Sequence, residues 1–428
     1  MKTNTPQLRF PEFRNAPEWE IASLESCLCS QPDYGVNAPA VPYSEKLPTY
    51  LRITDISEDR DFINEEKVSV NINATYENSL HEGDIVLART GASVGKSYKY
   101  KCKDGELVFA GFLIRIRPDK QKVYPDFLYQ FLDTGRYWEW VGITSARSGQ
   151  PGINAIEYCG LPIPMPSPRD CELSQREQKK IADCLSSLDG LISTESRKLD
   201  ALASYKKGLM QQLFPAEGET VPKLRFPEFR NAPAWKKKKL GEVLVERKEK
   251  NAKNLLICSV AVKKGVISQI EHLGRSFSAK DTSNYGVVHY GDIVYTKSPT
   301  GDFPYGIIKQ SQLKEDVAVS PLYGVYEPQT YALGFMLHCY FEYPEHTNNY
   351  LYPLIQKGAK NTINIKNQRF LENELMFPAD KDESQKIADY LASLDELISV
   401  QTEKLDALKN FKKGMMQQLF PAVDEVSV

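Results

Sequence analysis

Seven residues, Gly91-Ala92-Ser93-Val94-Gly95-Lys96-Ser97, look like a loop that cradles a nucleotide phosphate. Such a loop needs four residues between its glycines, and here there are three. It also needs a helix after it, whose N-terminal N–H groups face the anion. The segment runs instead into Tyr98-Lys99-Tyr100-Lys101, which reads as a strand. The same residues suit contact with DNA better. Arg89, Lys96, Lys99, Lys101 and Lys103 form a basic stretch with no acid among them, and Thr90 and Ser93 add hydroxyls. Glycines let backbone approach phosphate, and Arg89 can reach a guanine edge. The plain alternative is a solvated hairpin. A counterpart in the second half of the chain offers Lys297, Ser298 and Thr300. A second patch, Arg147-Ser148-Gly149-Gln150-Pro151-Gly152-Ile153-Asn154, aligns with Lys357-Gly358-Ala359-Lys360-Asn361-Thr362-Ile363-Asn364. Gln and Asn pair with adenine, Arg with guanine. The Ile-Asn pair recurs in both and reads as structural. The variable residues beside it, Arg147, Ser148, Gln150, Lys357, Lys360 and Asn361, are the candidates for readout.

Catalytic signatures are missing. An amino-methyltransferase needs a glycine-rich cofactor loop and an Asn/Asp-Pro-Pro-aromatic motif, and Pro-Pro occurs nowhere. The five histidines, 81, 272, 289, 338 and 346, show no paired-ligand spacing such as HExxH. Cys27-x-Cys29 has the wrong spacing for a zinc knuckle, and no second pair complements it. The polar N-terminus is no signal peptide, and no run approaches the ~18 apolar residues of a membrane span. Reduced thiols and a cytoplasmic location are expected. With a net charge of −2 over 428 residues, any DNA binding must come from local patches. One is the run Lys236 to Lys239, read either as a solvated face or as a contact for phosphate or an acidic partner.

The elements that would position these loops come in duplicate. Leu8 to Pro17 and Leu224 to Pro233 share the same ten letters, LRFPEFRNAP. Ile181 to Pro215 and Ile387 to Pro421 agree at about two thirds of their positions. In each of these, apolar residues recur with period 3.5. The first set is Ile181, Leu185, Leu188, Ile192, Leu199, Leu202, Tyr205, Leu209 and Leu213. The second is Ile387, Leu391, Leu394, Ile398, Leu405, Leu408, Phe411, Met415 and Leu419. Each stripe has one polar gap, Glu195 or Gln401, of the kind that fixes register. The pattern predicts two helices of about forty residues, each stopped by a proline and roughly 60 Å long. Their stripes can be buried against each other, antiparallel, so that the pair acts as a ruler.

Between the repeats lie two dissimilar modules with strand-like runs. Module one has Tyr50 to Ile53, Asp84 to Ala88 and Leu113 to Arg117. Module two has Leu255 to Val260, Asp292 to Tyr295 and Leu322 to Tyr326. Helix-length aromatic stretches follow, Pro125 to Val141 and Tyr331 to Tyr343.

In order and in duplicate, these features resemble the specificity (S) subunit of type I restriction-modification systems. The carriers are Arg9-Phe10-Pro11-Glu12-Phe13 with Trp19 and Leu24, and Arg225-Phe226-Pro227-Glu228-Phe229 with Trp235 and Leu240. Next come Gly83-Asp84-Ile85-Val86 and Gly291-Asp292-Ile293-Val294. Last is Leu161-Pro162-Ile163-Pro164 leading to Glu177-Gln178-Lys179-Lys180-Ile181. At the second exit Glu383-Ser384-Gln385 stands in place of Glu177-Gln178-Lys179, which leaves the geometry of that helix start open.

The resemblance implies an α+β fold. Two target-recognition domains are separated by two long antiparallel coiled-coil-like helices, with pseudo-twofold internal symmetry. The expected bounds are 1–173 and 216–382 for the arms and recognition domains, and 174–215 and 383–428 for the helices. It implies a non-catalytic subunit that reads a bipartite site on double-stranded DNA. Its partners would be two methyltransferase subunits, which use S-adenosylmethionine, and restriction subunits, which use ATP and magnesium. No cofactor or metal is expected in this chain. The alternatives are a self-sufficient DNA methyltransferase or nuclease, and a helical scaffold with no DNA role.

Overall fold

The computed structural model describes residues 5–274, 281–357 and 363–421. The chain divides into two compact units, Met1–Ser196 with Glu403–Val428, and Arg197–Thr402. Each is an α+β domain that takes part of both long helices.

In the first unit Ile85–Ala88 is buried along its whole length, as an apolar run at the centre of a sheet must be. It lies third in an antiparallel sheet ordered Asp33–Tyr34, Leu113–Ile116, Ile85–Ala88, Ser97–Lys99. A second sheet is ordered Ala40–Pro42, Val68–Val70, Thr49–Leu51, Leu107–Phe109, its last pair parallel. The second unit repeats the strand order of the first sheet with different residues, and arranges its second sheet differently. One sheet runs Leu244–Glu246, Gly324–Pro328, Ile293–Tyr295, Ile308–Gln310, and is antiparallel throughout. The other runs Gly265–Ser268, Ile257–Ala261, Val317–Val319, Gly286–Val288, with one parallel pair in the middle.

The repeated Gly-Asp before each central strand shapes a turn. Asp84 accepts the His81 N–H at 3.0 Å and lies 3.7 Å from the Arg115 guanidinium. Asp292 accepts the His289 N–H at 2.9 Å and pairs with Arg247 at 2.7 Å.

One expectation is corrected here. The stretch from Pro125 to Val141 is two helices, Pro125–Phe131 and Gly135–Thr144. The Thr134 hydroxyl accepts the Tyr137 N–H at 3.3 Å and caps the second. The lysine run Lys236–Lys239 is a strand, paired with Glu374–Phe377. It matches the pairing of Glu20–Ser23 with Pro162–Met165 in the first unit.

The long helices are Cys171–Leu213 and Lys381–Leu419. In the first unit Glu195 accepts from Lys404 at 2.6 Å, and Asp189 pairs with Lys412 at 2.7 Å. The partner number rises as the other falls, so the helices run antiparallel. In the second unit Lys206 pairs with Asp395 at 2.6 Å. There Leu209, Met210 and Leu213 share a core with Ile387, Ala388, Leu391 and Leu394. Glu195 and Gln401 are both buried, as the polar gaps of a seam should be.

The assignment of Tyr205 and Phe411 to that seam is wrong. They are 50% and 57% exposed, and the next residues, Lys206 and Lys412, are buried in their place. The cause is spacing. Steps of four and three residues run from Leu202 through Lys206 and Leu209 to Leu213, and from Leu408 through Lys412 and Met415 to Leu419. The strict repeat therefore falls on the two lysines, and their aromatic neighbours stand one position off the seam.

The duplicated arms are clasps. Arg9 forks onto Glu177 at 2.7 and 2.8 Å, and the Trp19 indole N–H donates to the same carboxylate at 3.3 Å. Arg225, Glu383 and Trp235 repeat this at 2.6, 2.7 and 3.3 Å. The second helix start therefore has the same geometry as the first, despite its different flanking letters. Phe420 closes the first unit's core against Trp19, Phe127 and Phe131. Phe214 does the same in the second, against Trp235 and Tyr340.

Candidate nucleic-acid interface

In the first unit the two loops singled out from sequence meet. Arg89, at the end of the central strand, accepts the Ile153 N–H at 2.9 Å through its carbonyl. Thr90 and Gly152 form an antiparallel bridge, and the Gly91 N–H donates to the Pro151 carbonyl at 3.0 Å. Gly91 has φ +77°, and a Cβ there would come within 3.0 Å of the Gln150 amide nitrogen. The positive φ favours glycine, while the Gln150 amide is the end of an exposed side chain and can give way. Residues 91–93 make one tight turn and Ser97–Lys99 is a strand, so no helix follows the glycine-rich loop. Ile153 is buried and Asn154 caps the short helix Ala155–Cys159, a structural role for the first Ile-Asn pair. The second, Ile363–Asn364, is a short strand, and the helix after it has Lys366 at its N-terminal cap position.

The cations of this site divide sharply. Lys96 pairs with Glu58 at 2.7 Å. Lys99 pairs with Asp126 and Lys101 with Asp61. Arg147 pairs with Glu157 and donates to the Thr144 carbonyl at 2.9 Å. The basic stretch that carried no acid of its own is thus neutralised by acids from elsewhere in the chain, which weakens the case for Lys99 and Arg147 as free DNA contacts. Among the described residues no carboxylate pairs with Arg89. Its guanidinium lies over the Tyr34 ring, 4.9 Å from the centroid, and the Tyr34 hydroxyl accepts the Ala155 N–H at 3.1 Å. Sequence reasoning missed Tyr34, Glu58 and Asp61. They are distant in the chain from the loop they serve, and no motif marks them. Ser93 is half-buried, and Ser148 and Gln150 are exposed.

In the second unit Lys297 follows the central strand Ile293–Tyr295. It is half-buried, and burial pushes its ammonium below the ordinary lysine value, with the Glu246 carboxylate opposing. Ser298 and Thr300 are exposed. Thr300 and Phe303 exchange backbone hydrogen bonds at 3.0 and 3.1 Å, and the buried Phe303 anchors the loop. Gly306, at φ +105°, is obligatory, since a Cβ would stand 1.9 Å from the Thr296 carbonyl oxygen. Lys357 lies in the short strand pair Gln356–Lys357 with Ile363–Asn364. Lys360 and Asn361 lie outside the described residues.

His289 donates towards Glu249 at 2.9 Å and Asp316 at 2.6 Å, one from each ring nitrogen. Burial lowers its pKa, but the two carboxylates outweigh this and hold it above the ordinary histidine value. No group of three or more His, Cys, Asp or Glu side chains able to hold a metal ion occurs among the described residues. None of the described helices is long and apolar enough to cross a membrane. The arrangement can therefore offer an arginine, amides and hydroxyls on rigid loops at the ends of buried strands.

Comparison with known proteins bears on the family and the fold. The family described as the type I restriction modification DNA specificity domain matches residues 42–204. The type I restriction enzyme MjaVIII specificity subunit of Methanocaldococcus jannaschii is 24% identical over 396 residues, covering 89% of this chain and 88% of its own length. The MjaX specificity subunit from the same organism is 24% identical over 354 residues, covering 79% and 77%. Among solved structures, the S subunit of a type I restriction-modification system from M. genitalium covers 98% of this chain and 100% of its own. It superposes with a TM-score of 0.62 at 13% identity, which establishes a shared fold.

Proposed function

We propose that this chain, which belongs to the specificity subunits of type I restriction-modification systems, reads a bipartite site on double-stranded DNA, one half with each module. The recognition domains are residues 1–173 and 216–382. In the first, Arg89 is the primary base reader, with Thr90, Ser93, Ser148 and Gln150 beside it, and Lys96 is a backbone contact. In the second, Lys297, Ser298 and Thr300 take this part, with Lys357, Lys360 and Asn361 on the second loop. The observation that carries the reading is the zipped pair of loops that presents Arg89 over Tyr34 without a carboxylate partner. An arginine already neutralised gains little from a guanine edge, whereas one held only by a ring face keeps all its N–H donors for bidentate pairing.

The chemistry belongs to partners. Methyltransferase subunits carry S-adenosylmethionine, and restriction subunits carry ATP and magnesium. Two equivalent apolar pairs support docking of two copies of one partner. Leu191 and Phe411, 42% and 57% exposed, flank the Asp189–Lys412 pair in sequence. Leu397 and Tyr205, 54% and 50% exposed, flank Asp395–Lys206. The test is Arg89→Ala in the complex with its methyltransferase partner, read by methylation sequencing. Discrimination at one position of one half-site should fall by roughly 5- to 150-fold. An unchanged motif would contradict the reading.

A further inference from the structure

The segment Ser57-Glu58-Asp59-Arg60-Asp61 closes a tight hairpin. Ile56 and Phe62 form an antiparallel bridge, and the Ser57 N–H donates to the Asp61 carbonyl at 2.8 Å. Arg60 sits at φ +61°, a left-handed backbone that a bulky residue adopts only when its surroundings impose it. Those surroundings are explicit. The Arg60 guanidinium is buried and donates to the Tyr129 carbonyl at 2.9 Å and to Asp133 at 3.1 Å. It lies 4.1 Å from the Tyr129 ring centroid, and the Tyr129 hydroxyl donates back to the Arg60 carbonyl at 3.0 Å. This plug fixes the acids on either side. Glu58 reaches Lys96 at 2.7 Å, Asp61 reaches Lys101, and Asp59 faces away to Lys409 at 3.5 Å.

Glu58 is 96% exposed at its side chain, so its pairing with Lys96 buries almost nothing of its own. What it does is set a carboxylate in front of a cation at the edge of the proposed reading loop. Phosphate contacts supply most non-specific affinity and carry no sequence information. We infer that Glu58 and Asp61 are specificity-determining residues that stand in for DNA phosphate. By occupying Lys96 and Lys101 they suppress binding to arbitrary duplex, and they yield only where base contacts from the reading loop compensate. The inference rests on the first module being a DNA reader, and it goes beyond that reading by assigning discrimination to acids that touch no base.

The experiment uses the chain in complex with its methyltransferase partner and two duplexes, one carrying the methylated motif and one scrambled. Glu58→Gln with Asp61→Asn should raise affinity for the scrambled duplex by roughly 3- to 10-fold. The salt dependence should steepen by about one to two phosphate equivalents, and the ratio between the two duplexes should fall. Asp59→Asn should change none of these. Adding Lys96→Ala and Lys101→Ala to the double variant should abolish the gain. Unchanged or weaker scrambled-duplex binding, or a gain that persists without the lysines, overturns the inference. If Arg89→Ala still damages motif recognition in that case, the DNA-reading assignment survives. If Arg89→Ala is also silent, the assignment of this module fails with it.

Discussion

Arg89 and Lys96 are only seven positions apart, yet they are held by opposite means. One is stacked on a ring, the other is paired with an acid. A substitution at Lys96 should therefore weaken binding to all sequences slightly, while Arg89→Ala should relax one position of the motif. Equal effects at the two sites, measured on matched and mismatched duplexes, would contradict the division. The turn itself was legible in the sequence, because three residues between the glycines and a strand-like run after them exclude a phosphate loop. Its electrostatic state was not, since Glu58, Asp61, Asp126 and Tyr34 arrive through the fold. The ion pair at His289 gives a second prediction at this scale. Its folded pKa lies above the unfolded value of about 6.5, with Glu249 and Asp316 on its ring nitrogens and Arg247 opposing. The resulting stabilisation is complete below that value and is lost as pH rises through the folded one. The melting temperature of the wild type should fall over this window relative to that of His289→Gln. A difference that grows with pH would contradict it.

At the level of elements, the heptad pattern located both long helices and their polar gaps, because burial of one stripe dominates a helix of that length. It misplaced Tyr205 and Phe411, because an apolar side chain was taken over the lysine beside it, where the strict repeat puts the buried position on Lys206 and Lys412. It also read one helix where Thr134 starts a second, a capping signal overlooked in an aromatic run. The clasp at the helix starts invites a direct test. Glu177 and Glu383 are each about 1% exposed at the side chain, so removing the arginine strands a buried charge. Arg9→Met and Arg225→Met should each destabilise their own unit by about 3–5 kcal/mol in denaturant unfolding. Markedly unequal losses would show that the repeats are not energetically equivalent.

Across the whole molecule, two modules with little common sequence share the strand order of one antiparallel sheet, and each is completed by both long helices. The repeats announced this duplication. The shared sheet topology was hidden, because strand burial constrains pattern rather than identity. One consequence is that the first unit depends on the far end of the chain. Met416, Leu419 and Phe420 belong to the same core as Trp19 and Phe127. Ending the chain after Thr402 should lower the melting temperature of the first unit. Retention of full stability would show that this packing is dispensable. The central claim, that each module reads its own half of the DNA site, is tested most directly by replacing residues 20–170 with a different module and sequencing the methylation pattern of the host. One half of the methylated motif should change while the other stays as it was. A change in both halves, or in neither, would contradict the account.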